Sequence, residues 1–252
     1  MVLNFKKYGF SLSKNIFSNQ LINKFEDDFD QIVDSLIDSD EDVNARWDSP
    51  LNNSLNQKNS MVIHTHNVQS YSSLMLHMLQ HDAFLNKVEE LIGSDIILHH
   101  TKLFLKPAKV GSLFPLHQDW SYFPTLTNTM IAAVIHLSDS TEEMGCFRVI
   151  PSSHKLGKIK NSDGHKHLSE IHSKYNLKNA KPIIANKGDI LFFHCCLLHG
   201  SLPNLSDLPR KTILIQLYSG NDKIIEGNKH TNVQLVLRGR NNFATRSSVS
   251  NL

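Results

Sequence analysis

Residues 187–217 read KGDILFFHCCLLHGSLPNLSDLPRKTILIQL, two apolar runs held apart by a segment of turn-forming residues. DILFFHCC (189–196) and KTILIQLY (211–218) have strand length and are too short for buried helices. Gly200 and Pro203 interrupt the chain between them. This stretch sets an all-apolar β core as the centre of the fold.

Further strands lie upstream. DIILHHTKLFLKP (95–107) is apolar, rich in β-branched residues and ended by Pro107, and TMIAAVIHL (129–137) and CFRVI (146–150) follow. Tyr8-Gly9-Phe10-Ser11-Leu12 alternates weakly and reads as a short strand. Helical spacing belongs to the N-terminal part. Leu21, Phe25, Phe29, Ile32, Val33 and Leu36 recur every three or four residues, with Ser18 placed as the N-cap. The acidic residues Glu26, Asp27, Asp28, Asp30 and Asp34 fall largely on the other face. Residues 70–91 read as two short helices broken near His81-Asp82, the second closed by Gly93. Between the helical parts lies DSDEDVNARWDSPLNNSLNQKNS, a solvated acidic loop; it lacks the central Gly and terminal Glu of a calcium-binding EF-hand.

Helices come first and strands dominate from about 95 to 220, so the expected fold class is mainly β with flanking helices. That order fits an antiparallel barrel or sandwich with an N-terminal helical layer. One domain over 1–252 is expected, with 1–92 as the helical layer, 93–220 as the core and 221–252 as a C-terminal extension. In that extension VQLVL (233–237) has the pattern to dock as a strand.

The chain of 252 residues is long enough for a sizeable core, and 40% apolar with 20% charged residues fits a globular protein. A formal net charge of +2 gives no case for a nucleic-acid partner, and no apolar run is long enough for a membrane span. Cys146, Cys195 and Cys196 show no disulfide framework and no CxxC, which points to a reducing, cytoplasmic setting and away from thiolate zinc. Fifteen histidines mean that only spacing and context can single one out.

Spacing singles out PLHQDW (115–120). His117 and Asp119, two apart on an extended segment, point the same way. One imidazole and one carboxylate make a two-ligand arm, which a distant histidine would complete as a 2-His-1-carboxylate set with open positions. Alone, such a pair is more often a hydrogen-bonded turn. The second half of the chain supplies His194, inside an apolar run, and His199, at the end of one and followed by Gly200. The strand-end histidine has the better geometry for a ligand, since Gly permits close approach. Arg210, eleven residues on, opens the next strand, where a guanidinium could grip a carboxylate through two parallel hydrogen bonds.

With those residues in view, the sequence resembles the phytanoyl-CoA dioxygenase family of Fe(II)- and 2-oxoglutarate-dependent oxygenases. The matching pieces are HTKLFLKP (100–107), FPLHQDWSYFP (114–124), MGCFRVIPSSHKLG (144–157), KGDILFFH (187–194), HGS (199–201) and PRKT (209–212). They occur in the family's order and spacing over roughly residues 90–220. The resemblance implies a double-stranded β-helix, or jelly roll, and Fe(II), 2-oxoglutarate and O₂ as cofactor and cosubstrates. It implies His117, Asp119 and His199 as iron ligands, Arg210 as partner of the cosubstrate's distal carboxylate, Lys106 as an associated lysine and Ser201 as a further contact. The implied reaction is hydroxylation of a small organic substrate with release of succinate and CO₂. Asp119 argues against halogenation, since related halogenases carry a small residue there. Two rival readings are the same barrel holding another metal for other chemistry, and a non-catalytic ligand-binding barrel.

Other residues carry weaker expectations. Lys102 shares strand parity with Lys106, Phe104 and His100, but an edge-strand lysine in water is its simpler reading. Trp120, Tyr122 and Phe123 follow the metal arm and are placed at the substrate entrance or under the barrel rim. Arg148, in CFRVI, is either a substrate contact or one half of a structural ion pair. His136, His154 and His194 read as structural, and Gln118 as a support between the ligands. The basic segment 154–182 reads as a solvated loop or as a lid that would favour an anionic substrate.

Overall fold

Neighbouring residues in a strand point to opposite faces, and here both faces are covered. In β5 (Ile131–His136), Ile131, Ala133 and Ile135 pack with helical residues, while Ala132 and Val134 pack into the barrel. β8 (Ile190–His194) splits the same way, Ile190 and Phe192 outward, Leu191 and Phe193 inward. β10 (Arg210–Ser219) follows, with Ile213 and Ile215 outward and Leu214 inward. This is why the deciding stretch shows no polar alternation.

The computed structural model describes residues 1–45, 61–159, 162 and 174–249. Its larger sheet runs β1 (Phe10–Ser13), β8, β5, β10, β3 (Ile96–Lys106) and β11 (Leu235–Arg238). β2 (Ile63–His66) pairs with the other half of β3. The smaller sheet runs β4 (Phe114–His117), β9 (His199–Ser201), β6 (Phe147–Val149) and β7 (Lys181–Ile183). All these pairings are antiparallel. The sheets face each other across one apolar cluster: Phe104, Val134, Phe193 and Leu214 on one side, Phe114, Phe147 and Val149 on the other. The architecture is the expected jelly roll.

Helices cover the outer face of the larger sheet. α1 is Val2–Tyr8 and α2 is Asn19–Ile37. α2 starts where the Ser18 hydroxyl accepts from Leu21 N at 3.2 Å. It buries Ile22, Phe25, Phe29, Ile32, Val33 and Leu36, while Lys211 of β10 reaches its acidic side at Glu26 (2.9 Å) and Asp30 (2.7 Å). α3 (Ser73–Gln80) and α4 (Asp82–Ile92) follow, and Gly93 ends α4 at φ 92°. Among the described residues no helix is long and apolar enough to cross a membrane.

Several boundaries differ from the sequence reading. The short strand read at Tyr8–Leu12 is β1, shifted to Phe10–Ser13, while helix α1 before it and strand β2 in the otherwise helical N-terminal part are unexpected. Cys195 and Cys196 lie in a turn beyond β8 rather than in the strand. β2, β4, β7 and β9 are further short strands with no apolar run of strand length to mark them. Residues 46–60 of the acidic loop, and 160–161 and 163–173 of the basic segment, lie outside the described residues.

Candidate metal centre and adjoining cavity

β4 and β9 lie side by side with His117 directly opposite His199, their ring centroids 4.2 Å apart. Gly200 permits that closeness: a Cβ there would sit 2.6 Å from the Phe114 carbonyl oxygen and 3.0 Å from Leu177. Each imidazole is aimed by the backbone two residues earlier. His117 Nδ1 lies 2.8 Å from Pro115 O and His199 Nδ1 3.0 Å from Leu197 O. A carbonyl only accepts, so each Nδ1 carries the proton and each Nε2 presents a lone pair.

Asp119 opens a short 3₁₀ turn (Asp119–Ser121), and its Oδ1 stands 3.7 Å from His117 Nε2 and 3.6 Å from His199 Nε2. Its Oδ2 accepts from Gln216 Nε2 at 2.5 Å. The three ligand atoms lie within 4.8 Å of one another, and all three residues are buried. Two nitrogen lone pairs and a carboxylate oxygen converging at these distances suit a divalent cation, with one face left open. This donor set fits Fe(II).

Arg210 starts β10 opposite Lys106, the last residue of β3. Lys106 Nζ donates to Ser201 Oγ at 2.7 Å and Leu202 O at 2.6 Å, and stands 5.0 Å from the centroid of the Phe114 ring. Arg210 donates to Gly145 O and lies over Phe147 at 5.3 Å, and its buried Nε has no partner among the described residues. Among the described residues no carboxylate lies within 4.0 Å of either cation. Burial, then the Arg210 charge, holds the Lys106 amine well below the usual lysine range, and burial brings Arg210 down to about 10. Two buried cations without an anion are costly unless a ligand supplies one.

A cavity of about 270 Å³ opens onto the three candidate ligands. Phe104, Phe114, Tyr122, Phe123, Phe147 and Leu214 form its apolar wall, so the rings touching Lys106 and Arg210 also face the cavity. His64, His66, Lys102 and His230 form a polar wall. Burial lowers Lys102 to about 8, opposed by the Asp119 carboxylate.

The phytanoyl-CoA dioxygenase family model matches residues 5–212. The chain belongs to the phytanoyl-CoA dioxygenase family. The mouse (Mus musculus) peroxisomal phytanoyl-CoA dioxygenase is 28% identical over 233 residues, covering 88% of this chain and 68% of that protein. The chain spans less than half the length of the bovine, human and rat relatives it matches. Among solved structures, the epimerase SnoN in complex with Fe3+, alpha ketoglutarate and nogalamycin RO superposes with a TM-score of 0.71 at 17% identity, covering 94% of this chain and 97% of that one. EctD from S. alaskensis with 2-oxoglutarate and 5-hydroxyectoine gives 0.71 at 19%, covering 95% and 83%. At those identities the structural likeness speaks for the fold.

Within this family fold, the sequence-selected residues divide. His117, Asp119 and His199 come together, as do Lys106, Ser201 and Arg210, and Tyr122 lines the cavity. Two expected substrate contacts lie elsewhere. Trp120 is not among the cavity-lining residues; its backbone N–H donates to Cys195 O at 3.0 Å, its side chain packs on the cluster that holds Ile97, Met130, Cys195 and Cys196, and Lys158 Nζ stands 5.0 Å from its ring. Arg148 is engaged structurally, by Glu142 at 2.5 Å and the carbonyls of Lys178 (3.0 Å) and Ala180 (2.9 Å). The ion-pair alternative describes it. Gln118, facing away from its neighbours, donates to Cys196 O (2.7 Å) and Gly157 O (2.9 Å) and accepts from Ile159 N (2.9 Å), tying the metal arm to the base of the basic segment.

Sequence reasoning missed Gln216 and undervalued Lys102. Both are polar residues at inward positions of apolar strands, and that was the available signal. His194, Cys195 and Cys196 form the second close ligand group among the described residues, but His194 Nδ1 already accepts from Cys196 N at 3.0 Å.

Proposed function

We propose that this chain is an Fe(II)- and 2-oxoglutarate-dependent dioxygenase that hydroxylates a small organic molecule. His117, Asp119 and His199 are the iron ligands, and Arg210, Lys106 and Ser201 hold the distal carboxylate of 2-oxoglutarate. The observation that carries this reading is the pairing of a three-ligand cluster with two buried cations that have no carboxylate partner among the described residues. A barrel built for other metal chemistry has no need of such a clamp.

The chemistry supplied by bound Fe(II) is oxidative decarboxylation of 2-oxoglutarate to succinate and CO₂, coupled to oxygen insertion into a C–H bond. The chain's own residues do the positioning. Pro115 O and Leu197 O fix the two imidazoles with Nε2 inward. Gln216 holds one Asp119 oxygen, leaving the other for the metal and offsetting part of its charge. Arg210 offers a planar fork and Lys106 a point charge, a pair suited to one carboxylate. Phe104, Tyr122, Phe123 and Leu214 exclude water from the reacting carbon. The three cysteines are unpaired, which fits a reducing, cytoplasmic setting.

The test is oxygen-dependent turnover. Purified protein given Fe(II), ascorbate, 2-oxoglutarate and a metabolite library forms succinate, stimulated by its substrate, and His199→Ala forms none. Succinate formation by His199→Ala at the wild-type rate would overturn the ligand assignment.

A further inference from the structure

The cavity wall holds a third cation that the proposed reaction does not use. Lys102 sits on β3 opposite Leu214 of β10 and His66 of β2. Among the described residues its ammonium makes no hydrogen bond and has no carboxylate within 4.0 Å; it stands 5.4 Å from the centroid of the Phe123 ring. It lies four residues from Lys106 on the same strand, about 13 Å at the usual rise. Lys102 lines the cavity, whereas Lys106, held by Ser201 and Leu202, and Arg210 are not among its lining residues, so Lys102 serves a different anion from the one at Arg210.

We infer that Lys102 anchors the substrate through an anionic group, making the substrate a small monoanionic carboxylic acid. This rests on the dioxygenase reading for what the cavity presents to the metal. Among the described residues that line the cavity, Lys102 is the one lysine or arginine. A diphosphate or coenzyme A ester would call for several cations or a bidentate arginine, whereas a single ammonium matches a single negative charge. His64, His66 and His230 line the same wall. Burial foremost, and Lys102's own charge, hold His66 at about 4 and His230 at about 3. At neutral pH the His66 and His230 rings are uncharged, and each can offer its one N–H to a carboxylate oxygen. The volume, about 270 Å³, lies below the roughly 300–1,000 Å³ of cavities for drug-sized ligands and sets the size limit.

The test uses matched probes: phenylacetate, hexanoate and cyclohexanecarboxylate against their primary amides. Protein is loaded with Mn(II) and saturating 2-oxoglutarate, so that the Arg210 clamp is filled, and the probes are titrated by calorimetry. For at least one skeleton the acid binds at least about tenfold tighter than the amide, as expected for one charge-assisted hydrogen bond. Lys102→Met and Lys102→Gln, compared by circular dichroism to confirm folding, lose the preference, and Lys102→Arg recovers it. Equal binding of acid and amide for every skeleton, no binding by any probe, or a preference that survives in Lys102→Met overturns the inference. The preceding 2-oxoglutarate titration reports separately on the clamp, so its failure sinks the dioxygenase reading while the acid preference is still scored.

Discussion

At the residue scale, the candidate centre depends on how side chains are aimed as much as on which residues are present. His117 and Asp119 are visible in sequence because their spacing is a property of the chain. What holds Asp119 is not, since Gln216 lies 97 residues away and reads as one polar residue in ILIQLY. Only the pairing of β10 with its neighbours shows that it faces inward. Supporting partners of this kind alter metal affinity by about 10–100-fold when removed. Gln216→Leu is therefore expected to weaken Mn(II) binding by that factor while leaving the unfolding midpoint nearly unchanged; unaltered metal affinity would deny Gln216 a positioning role. Trp120 and Tyr122 show the opposite limit. They are two apart, yet a turn between them puts Tyr122 in the cavity and Trp120 against the cysteines. Residue type could not separate them.

At the element scale, the long strands and the short β1, β6 and β11 were legible, while β2, β4, β7 and β9 were not. β3, β5, β8 and β10 announce themselves as apolar runs; β9 is His-Gly-Ser, a sequence with little strand propensity of its own. Tertiary pairing with β4 and β6 makes it a strand. That pairing sets the separation of the two imidazoles, and Gly200 is its weak point. Gly200→Ala places a Cβ against the Phe114 carbonyl and is expected to cost about 1–3 kcal/mol in urea unfolding, as overpacking does. It should also weaken metal binding at least tenfold by moving His199 from His117. Wild-type metal affinity in Gly200→Ala would show that the β4–β9 spacing does not govern the centre.

For the whole molecule, the helical layer and both sheets share buried residues, and several of those are histidines. Burial holds His66, His99 and His136 at about 4 and His230 at about 3, against roughly 6.5 in an unfolded chain. A depressed folded pKa means that the unfolded chain binds more protons between those values. The stability is thus fully present above pH 6.5 and is lost as pH falls toward 4. The urea midpoint is expected to decline steadily over that window, with His136→Gln flattening part of the slope; a midpoint constant from pH 6.5 to 4.5 would contradict these neutral assignments. The layered architecture was readable from element order. The cavity was not, because it is assembled from β2, β3, β4, β6, β9, β10, the turn carrying Asp119 and Tyr122, and the segment carrying His230.

The central claim is that one cluster of three side chains and one buried clamp together hold Fe(II) and 2-oxoglutarate. Anaerobic addition of both to the purified protein tests it directly through the visible metal-to-ligand charge-transfer band. The band should appear in wild type, be absent in His117→Ala, and require about 100-fold more 2-oxoglutarate in Arg210→Gln, the loss expected for a bidentate charge-assisted pair. Folded wild-type protein without a band, or an unchanged band in His117→Ala, would contradict the account.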